Sequence, residues 1–173
     1  MSANIPSRPR QVGQRRNFAI VAGQYNPEYV RGLIDHARAE FLAISPNFNV
    51  VLHEVPGAFE IPLVVQELAT RGGFDAIIAL GVIIEGETQH AALIATEITR
   101  ALQQLSLTHR VPVIHEVLLL KSEEQARVRC LEDEINRGTE AARVAARMVQ
   151  MLGELRNTRT ETTGPRSEVR FGR

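Results

Sequence analysis

The stretch Leu80-Gly-Val-Ile-Ile-Glu-Gly-Glu-Thr-Gln-His90 decides how this chain is organised. The apolar run from Asp75 to Ile84 has the composition of a strand buried on both faces, and it stops at Gly86. Thr88 has the character of an N-cap, which predicts a long helix from Gln89 to Thr108. A helix starting at the carboxyl end of a parallel strand turns free backbone N–H groups towards the crevice where open α/β sheets bind ligands. His90 falls in its first turn, so an imidazole is expected beside an anion cradle.

The same alternation continues on both sides. Phe18–Gly23 reads as a first strand, followed by a helix over Pro27–Ile44 with apolar residues at Val30, Leu33, Ile34, Ala37 and Phe41. Asn49–His53 is a second strand, closed by the turn signal Val55-Pro56-Gly57, and Ile61–Thr70 a second helix stopped at Gly72-Gly73. Val111–Leu119 is a fourth strand, with Pro112 tolerated near its start. A short helix over Glu123–Cys130 and a final one over Gly138–Leu155 complete the pattern. Strict alternation predicts an α/β fold: a three-layer α/β/α sandwich around a parallel four-stranded sheet, flavodoxin-like in kind. That topology gathers Gly23–Asn26, Val55–Glu60, Ile84–His90 and Leu119–Ser122 at one end of the sheet, and with them Tyr25, Phe59, Glu60, Thr88 and His90.

Composition bounds the remaining possibilities. With 173 residues, 44% hydrophobic and 23% charged, the chain suits one globular domain. It holds no apolar run long enough to span a membrane and no apolar signal-peptide core, and its single cysteine, Cys130, excludes an internal disulfide; a cytoplasmic location is expected. The neutral chain is uneven: residues 1–16 carry +4 and residues 156–173 carry +3, which leaves −7 for the middle. Residues 1–16 read as a basic, mobile N-terminal tail, 17–155 as the catalytic domain, and 156–173 as a basic, disordered C-terminal tail. No aromatic interleaving or motif makes these tails nucleic-acid binders, and neither nucleic acid nor membrane is expected as a partner.

His90 is the strongest candidate for chemistry, whereas His36, His53 and His109 read as helix-face, strand-end and helix-end residues. Gly86-Glu87-Thr88 supplies amide donors and a hydroxyl, although any N-cap resembles it. Tyr25 and Phe59 are two of eight aromatics and, taken singly, either suits a core; both follow strands of one layer, where a flat ligand could stack on them. Glu60 either caps its own helix or accepts from a ligand. Arg129 and Arg137 are solvated arginines or phosphate ligands. There is no P-loop, dinucleotide fingerprint, metal-spaced cluster or nucleophile elbow. The residues by themselves thus suggest a cofactor-independent enzyme acting on a phosphorylated substrate through a histidine.

Taken in order, Phe18-Ala-Ile-Val-Ala with Tyr25-Asn26, Val55-Pro-Gly-Ala-Phe-Glu-Ile-Pro62, Ala79-Leu-Gly-Val-Ile-Ile-x-Gly-x-Thr-x-His90 and Asn136-x-Gly138-x-Glu140-Ala-Ala resemble the 6,7-dimethyl-8-ribityllumazine synthase family from about Asn17 to Leu155. The resemblance implies condensation of 5-amino-6-(D-ribitylamino)uracil with 3,4-dihydroxy-2-butanone 4-phosphate, the penultimate step of riboflavin biosynthesis, without metal or redox cofactor. It implies Tyr25 as the stacking residue for the pyrimidine, and Ala58, Phe59 and Glu60 as the segment for the ribityl chain. Val82, Ile83 and Ile84 match the strand at the pyrimidine edge, and Glu87 and Thr88 the phosphate contacts at the helix start. His90 matches the proton-transfer residue, and Arg129 the arginine that reaches phosphate from an adjoining subunit. His115 falls where the family often has phenylalanine over the ring. The implied assembly is a homo-oligomer with inter-subunit sites, a pentamer or an icosahedral capsid of pentamers.

The chain departs from the family pattern around the candidate base. Glu85 stands in place of a common arginine, Gln89-His90-Ala91 in place of Pro-His-Phe, Ala92 in place of a frequent aspartate, and Arg137 in place of lysine. These departures motivate one alternative, a non-catalytic flavin- or lumazine-binding protein on the same fold; the assembly that the resemblance implies motivates another, a shell-forming protein.

Overall fold

The computed structural model describes residues 6–9, 15–86 and 89–161. Glu87, Thr88 and the outer parts of both basic tails lie outside the described residues. Among the described residues, four strands and five helices follow in the order β1 (Arg16–Gly23), α1 (Pro27–Ile44), β2 (Phe48–Val55), α2 (Ile61–Arg71), β3 (Ala76–Ile84), α3 (His90–His109), β4 (Val113–Leu120), α4 (Glu123–Cys130) and α5 (Arg137–Glu161), with a 3-10 turn at Ala58–Glu60 before α2. The strands form one parallel sheet in the order β2-β1-β3-β4, the doubly wound order expected of a flavodoxin-like sandwich. The α/β architecture foreseen from the alternation is the one observed.

Two apolar layers hold it together. Phe18, Ile20, Ile78 and Leu80 point to one side of the sheet, where α1, α4 and α5 cover them through Leu33, Phe41, Ala126, Ala142 and Ala145. Ala19, Val21, Ile77 and Ala79 point to the other, against Ile61 and Val65 of α2 and Ile98 and Leu102 of α3. This is the period-two alternation of a strand buried on both faces, and it puts β1 and β3 at the centre. β2 and β4 are the edges. Close helix crossing needs small residues: a Cβ at Gly138 would lie 2.1 Å from the Leu33 carbonyl oxygen, so only glycine lets α5 cross α1 there.

Most element ends differ from the sequence reading by a residue or two, as β1 does by beginning at Arg16, and α5 differs by more. β2 is longer than expected, running from Phe48 to Val55. β4 begins at Val113, because Pro112 has no N–H to give; its carbonyl instead accepts from the Ile77 amide at 2.9 Å. α3 begins at His90, one residue late. α5 continues past Leu155 to Glu161, since Arg156 and the residues after it include no proline or glycine before Gly164 to interrupt a helix.

Within the basic N-terminal stretch, Arg8 donates two hydrogen bonds to Glu40 of α1, at 2.6 and 2.9 Å. Arg143 of α5 donates to the same carboxylate at 2.9 Å and to the Pro6 carbonyl at 2.9 Å. Glu40 is buried, and the two guanidiniums hold its carboxyl down at about 2 against the opposing effect of burial. Among the described residues, no helix is long and apolar enough to cross a membrane.

Candidate active site

The carboxyl ends of β1, β2 and β3 and the start of α3 enclose a cleft of about 650 Å³, within the range of small-molecule sites. Tyr25, Ala58, Phe59, Glu60, Val82, Ile83, Ile84 and His90 all line it. Of the residues that topology was expected to gather, Tyr25, Phe59, Glu60 and His90 meet here, while Thr88 lies outside the described residues. The loops that carry them are tied down by backbone contacts. Gln24 donates its amide N–H to the Val55 carbonyl at 3.0 Å, joining the first loop to the end of β2.

Asn26, whose structural part the sequence reading missed, holds the first loop to β3. Its backbone is left-handed (φ 54°, ψ 57°), and its side-chain amide donates to the Val82 carbonyl at 2.9 Å. Asparagine is among the few non-glycine residues at ease in that conformation, and an asparagine directly before Pro27 was the available signal. Gly57 fits between the two neighbouring site residues: a Cβ there would meet Glu60 Oε2 at 2.8 Å and the Tyr25 ring at 3.2 Å. The Tyr25 ring, the Gly57 backbone and the Glu60 carboxylate thus form one continuous wall. Tyr25 is 72% exposed and Phe59 61%, so the wall's aromatic surface is open rather than spent on the core.

His90 is the first residue of α3, exposed, with Ile94 one turn on beside it in the cleft. The expected N-cap Thr88 and the phosphate contacts assigned to Glu87 and Thr88 lie outside the described residues.

Arg129 and His115 are not in this cleft. They line a second, larger groove of about 1140 Å³ along the open edge of β4, with Thr99 and Arg100 of α3, Glu116, and Arg137 and Glu140 of α5. The separation follows from helix geometry. At about 100° per residue, His90 and Ile94 face one flank of α3, while Ala92, Ala95, Thr96 and Thr99 face the opposite flank. The buried stripe of Ile98 and Leu102 runs between them. One copy of the chain cannot bring Arg129 to its own His90.

The groove is built as firmly as the cleft. Asn136, fully buried, donates through Nδ2 to the carbonyls of Cys130 (2.9 Å) and Glu132 (3.1 Å) and accepts through Oδ1 from the amides of Gly138 (2.9 Å) and Thr139 (3.3 Å). It thereby fixes the end of α4, which carries Arg129, against the start of α5, which carries Arg137. Arg137 is buried and ion-paired with Glu140.

His115 has both ring nitrogens engaged. Nδ1 accepts from the Val117 amide at 3.1 Å, which leaves Nε2–H to donate to Thr99 Oγ1 at 2.7 Å. The Thr99 hydroxyl in turn donates a hydrogen bond to the Ala95 carbonyl at 2.8 Å. Burial lowers the pKa of this imidazole, in keeping with a neutral ring clamped between β4 and α3.

Glu116, missed by the sequence reading, points to the opposite side of β4. Burial foremost, then the Glu140 carboxylate, push its pKa up to about 7, with Arg137 opposing. Its signal was a carboxylate within the apolar run Val113–Leu120.

Residues 15–153 match the family model described as 6,7-dimethyl-8-ribityllumazine synthase. Two curated proteins named 6,7-dimethyl-8-ribityllumazine synthase, from Acidovorax sp. (strain JS42) and Acidovorax ebreus (strain TPSY), are each 37% identical to the chain over 144 residues, covering 83% of it and 91% of their own length. The matched span includes both the His90 cleft and the Arg129 groove, and on this ground the chain belongs to the 6,7-dimethyl-8-ribityllumazine synthase family.

Proposed function

We propose that this protein condenses 5-amino-6-(D-ribitylamino)uracil with 3,4-dihydroxy-2-butanone 4-phosphate to 6,7-dimethyl-8-ribityllumazine, releasing phosphate and water. The observation that carries the reading is the open aromatic cleft with His90 at its mouth, lying within the family-matched span. Its volume suits two small reactants, and holding them together supplies much of the acceleration such a condensation needs.

The uracil amine attacks the ketone to form an imine; phosphate is then eliminated, and ring closure with loss of water completes the lumazine. Tyr25 stacks on the pyrimidine, whose edge lies along Val82, Ile83 and Ile84. Ala58, Phe59 and Glu60 take the ribityl chain, with the Glu60 carboxylate accepting from its hydroxyls. His90 moves protons between the amine, the carbonyl oxygen and the leaving group. Arg129 stabilises the departing phosphate, joined by the helix-start contacts of Glu87 and Thr88. His115 borders the pyrimidine as a neutral ring.

Because Arg129 and His90 face opposite flanks of α3, a complete site takes its arginine from a neighbouring copy. That supports a homo-oligomer with shared sites; its proposed form is a pentamer or an icosahedral assembly of pentamers, with the cytoplasm as its proposed location. Mixing the two substrates with purified protein and following lumazine absorbance and fluorescence tests the reaction. Binding of lumazine without its formation would sink it.

A further inference from the structure

Glu116 has no part in the reaction just described, yet it sits among the groups assigned to phosphate. It follows His115 on β4 and projects to the other face of the strand, opposite Leu80 of β3 in register. Leu118 and Leu120, further along that face, join the apolar core with Cys130 and Ala141. Glu116 therefore enters the sheet–helix interface at its open edge, where Arg129, Arg137 and Glu140 line the same groove. The Cys130 thiol feels the charge of both Arg129 and Glu116, which places both near it.

The charges facing Glu116 are few. α5 contributes Arg137 and Glu140, α4 contributes Arg129 and the Cys130 thiol, α3 contributes Arg100 at the far lip, and β3 presents only Leu80. His115 lies on the opposite face of β4, committed to Thr99. Three guanidiniums, Arg100 among them, face two carboxylates across the groove, so a dianion arriving there leaves one negative charge in excess unless one acid is protonated. Glu140 is ion-paired to Arg137; Glu116 is the acid left to yield.

We propose that Glu116 is a positioning residue that couples anion binding to proton uptake: a phosphate dianion held by Arg129 and Arg137 binds as solvent delivers one proton to the Glu116 carboxylate. No bond to the anion is made or broken. The inference rests on the assignment of phosphate to Arg129 in the proposed function. Burial already brings this acid near neutrality, so the coupling acts at working pH. Below about pH 7 the groove accepts a dianion freely. Above it, affinity falls as pH rises, by up to about tenfold per unit.

Sulfate is the suitable probe, being a dianion that does not titrate near neutrality. Calorimetric titration of the full chain at pH 6 and pH 8.5 is expected to show wild-type affinity weakening about tenfold or more between the two. Glu116→Gln and Glu116→Leu, one able to hydrogen-bond and one not, should each stay within about twofold, because both lack the titrating charge. His115 is present in all three proteins, so the difference isolates Glu116. Equal pH dependence in wild type and variants overturns the proposal, as does the absence of sulfate binding in all three. Lumazine formation by the wild type is measured alongside: turnover with equal sulfate slopes removes the coupling but keeps the function, whereas no turnover removes the function whatever the slopes.

Discussion

The side-chain amide of Asn26 donates to the main-chain carbonyl of Val82 over 2.9 Å, tying the turn that carries Tyr25 to the strand end that lines the cleft. Asn26→Ala should destabilise the fold by about 2 kcal/mol, roughly half from a left-handed backbone that alanine resists and half from the lost hydrogen bond. Asn26→Gly removes only the second half. Thermal unfolding should show a fall of about 4–8 °C for alanine and about half that for glycine. KM for the uracil substrate should rise in both, since Tyr25 loses its anchor. Equal melting temperatures for the two variants would contradict the backbone argument.

His90→Ala is expected to lower kcat by about a hundredfold or more, the usual scale for a positioned acid–base group, with unfolding unchanged because the side chain is exposed. Arg129→Ala should act mainly on the phosphorylated substrate. Neither variant alone should turn over well, but unfolding and co-refolding them together offers a sharper measurement. If one site draws His90 from one copy and Arg129 from the next, random mixing restores about a quarter of wild-type activity. Activity no higher than the mean of the two parents would place both residues' roles within one copy.

The His115–Thr99 clamp predicts a stability dependence on pH. The folded-state pKa of this imidazole is lowered, so its contribution is fully present above the ordinary value of about 6.5 and is lost as pH falls below it, where the unfolded chain takes up the proton first. Denaturant unfolding between pH 7.5 and 5 should therefore show a smaller loss of stability for His115→Gln than for wild type. Parallel slopes would mean that the ring is free to protonate in the fold.

Glu40 behaves with the opposite sign. Its carboxyl is held down at about 2 by Arg8 and Arg143, so the stabilisation is present above the ordinary carboxyl value and is lost as pH falls towards 2. Arg8 is half exposed, which screens its share, and the whole network is worth about 2 kcal/mol at neutral pH. Glu40→Gln should remove most of that, measured as a lower urea midpoint at pH 7 that converges with wild type at acid pH. Deleting residues 1–9 should remove the Arg8 part, together with the Arg143 contact to the Pro6 carbonyl.

The fold and the first cleft were legible in the sequence because both depend on local rules. Runs such as Ala76–Ile84 have the composition of strands buried on both faces, and their alternation with helices leaves few topologies, each with its ligand crevice at the strands' carboxyl ends. Tyr25, Phe59, Glu60 and His90 could be brought together on paper for that reason. Helix ends were less legible: α5 runs to Glu161 because a helix continues where neither proline nor glycine interrupts it, whether or not the residues look like a tail.

Three things required the packed molecule. Asn26 reaches Val82, Glu116 meets Arg137, and His115 finds Thr99 across 56, 21 and 16 residues of chain respectively, distances over which no local pattern reports. Alternation along β4 predicts that neighbouring side chains part to opposite faces, but which partner waits on each face is set by how α3 and α5 dock. So the chain's own order determined a parallel α/β sheet with a histidine at its ligand end, through periodicity and turn chemistry. Tertiary packing alone decided that Arg129 faces away from that histidine, because α3 presents its two flanks to different surroundings.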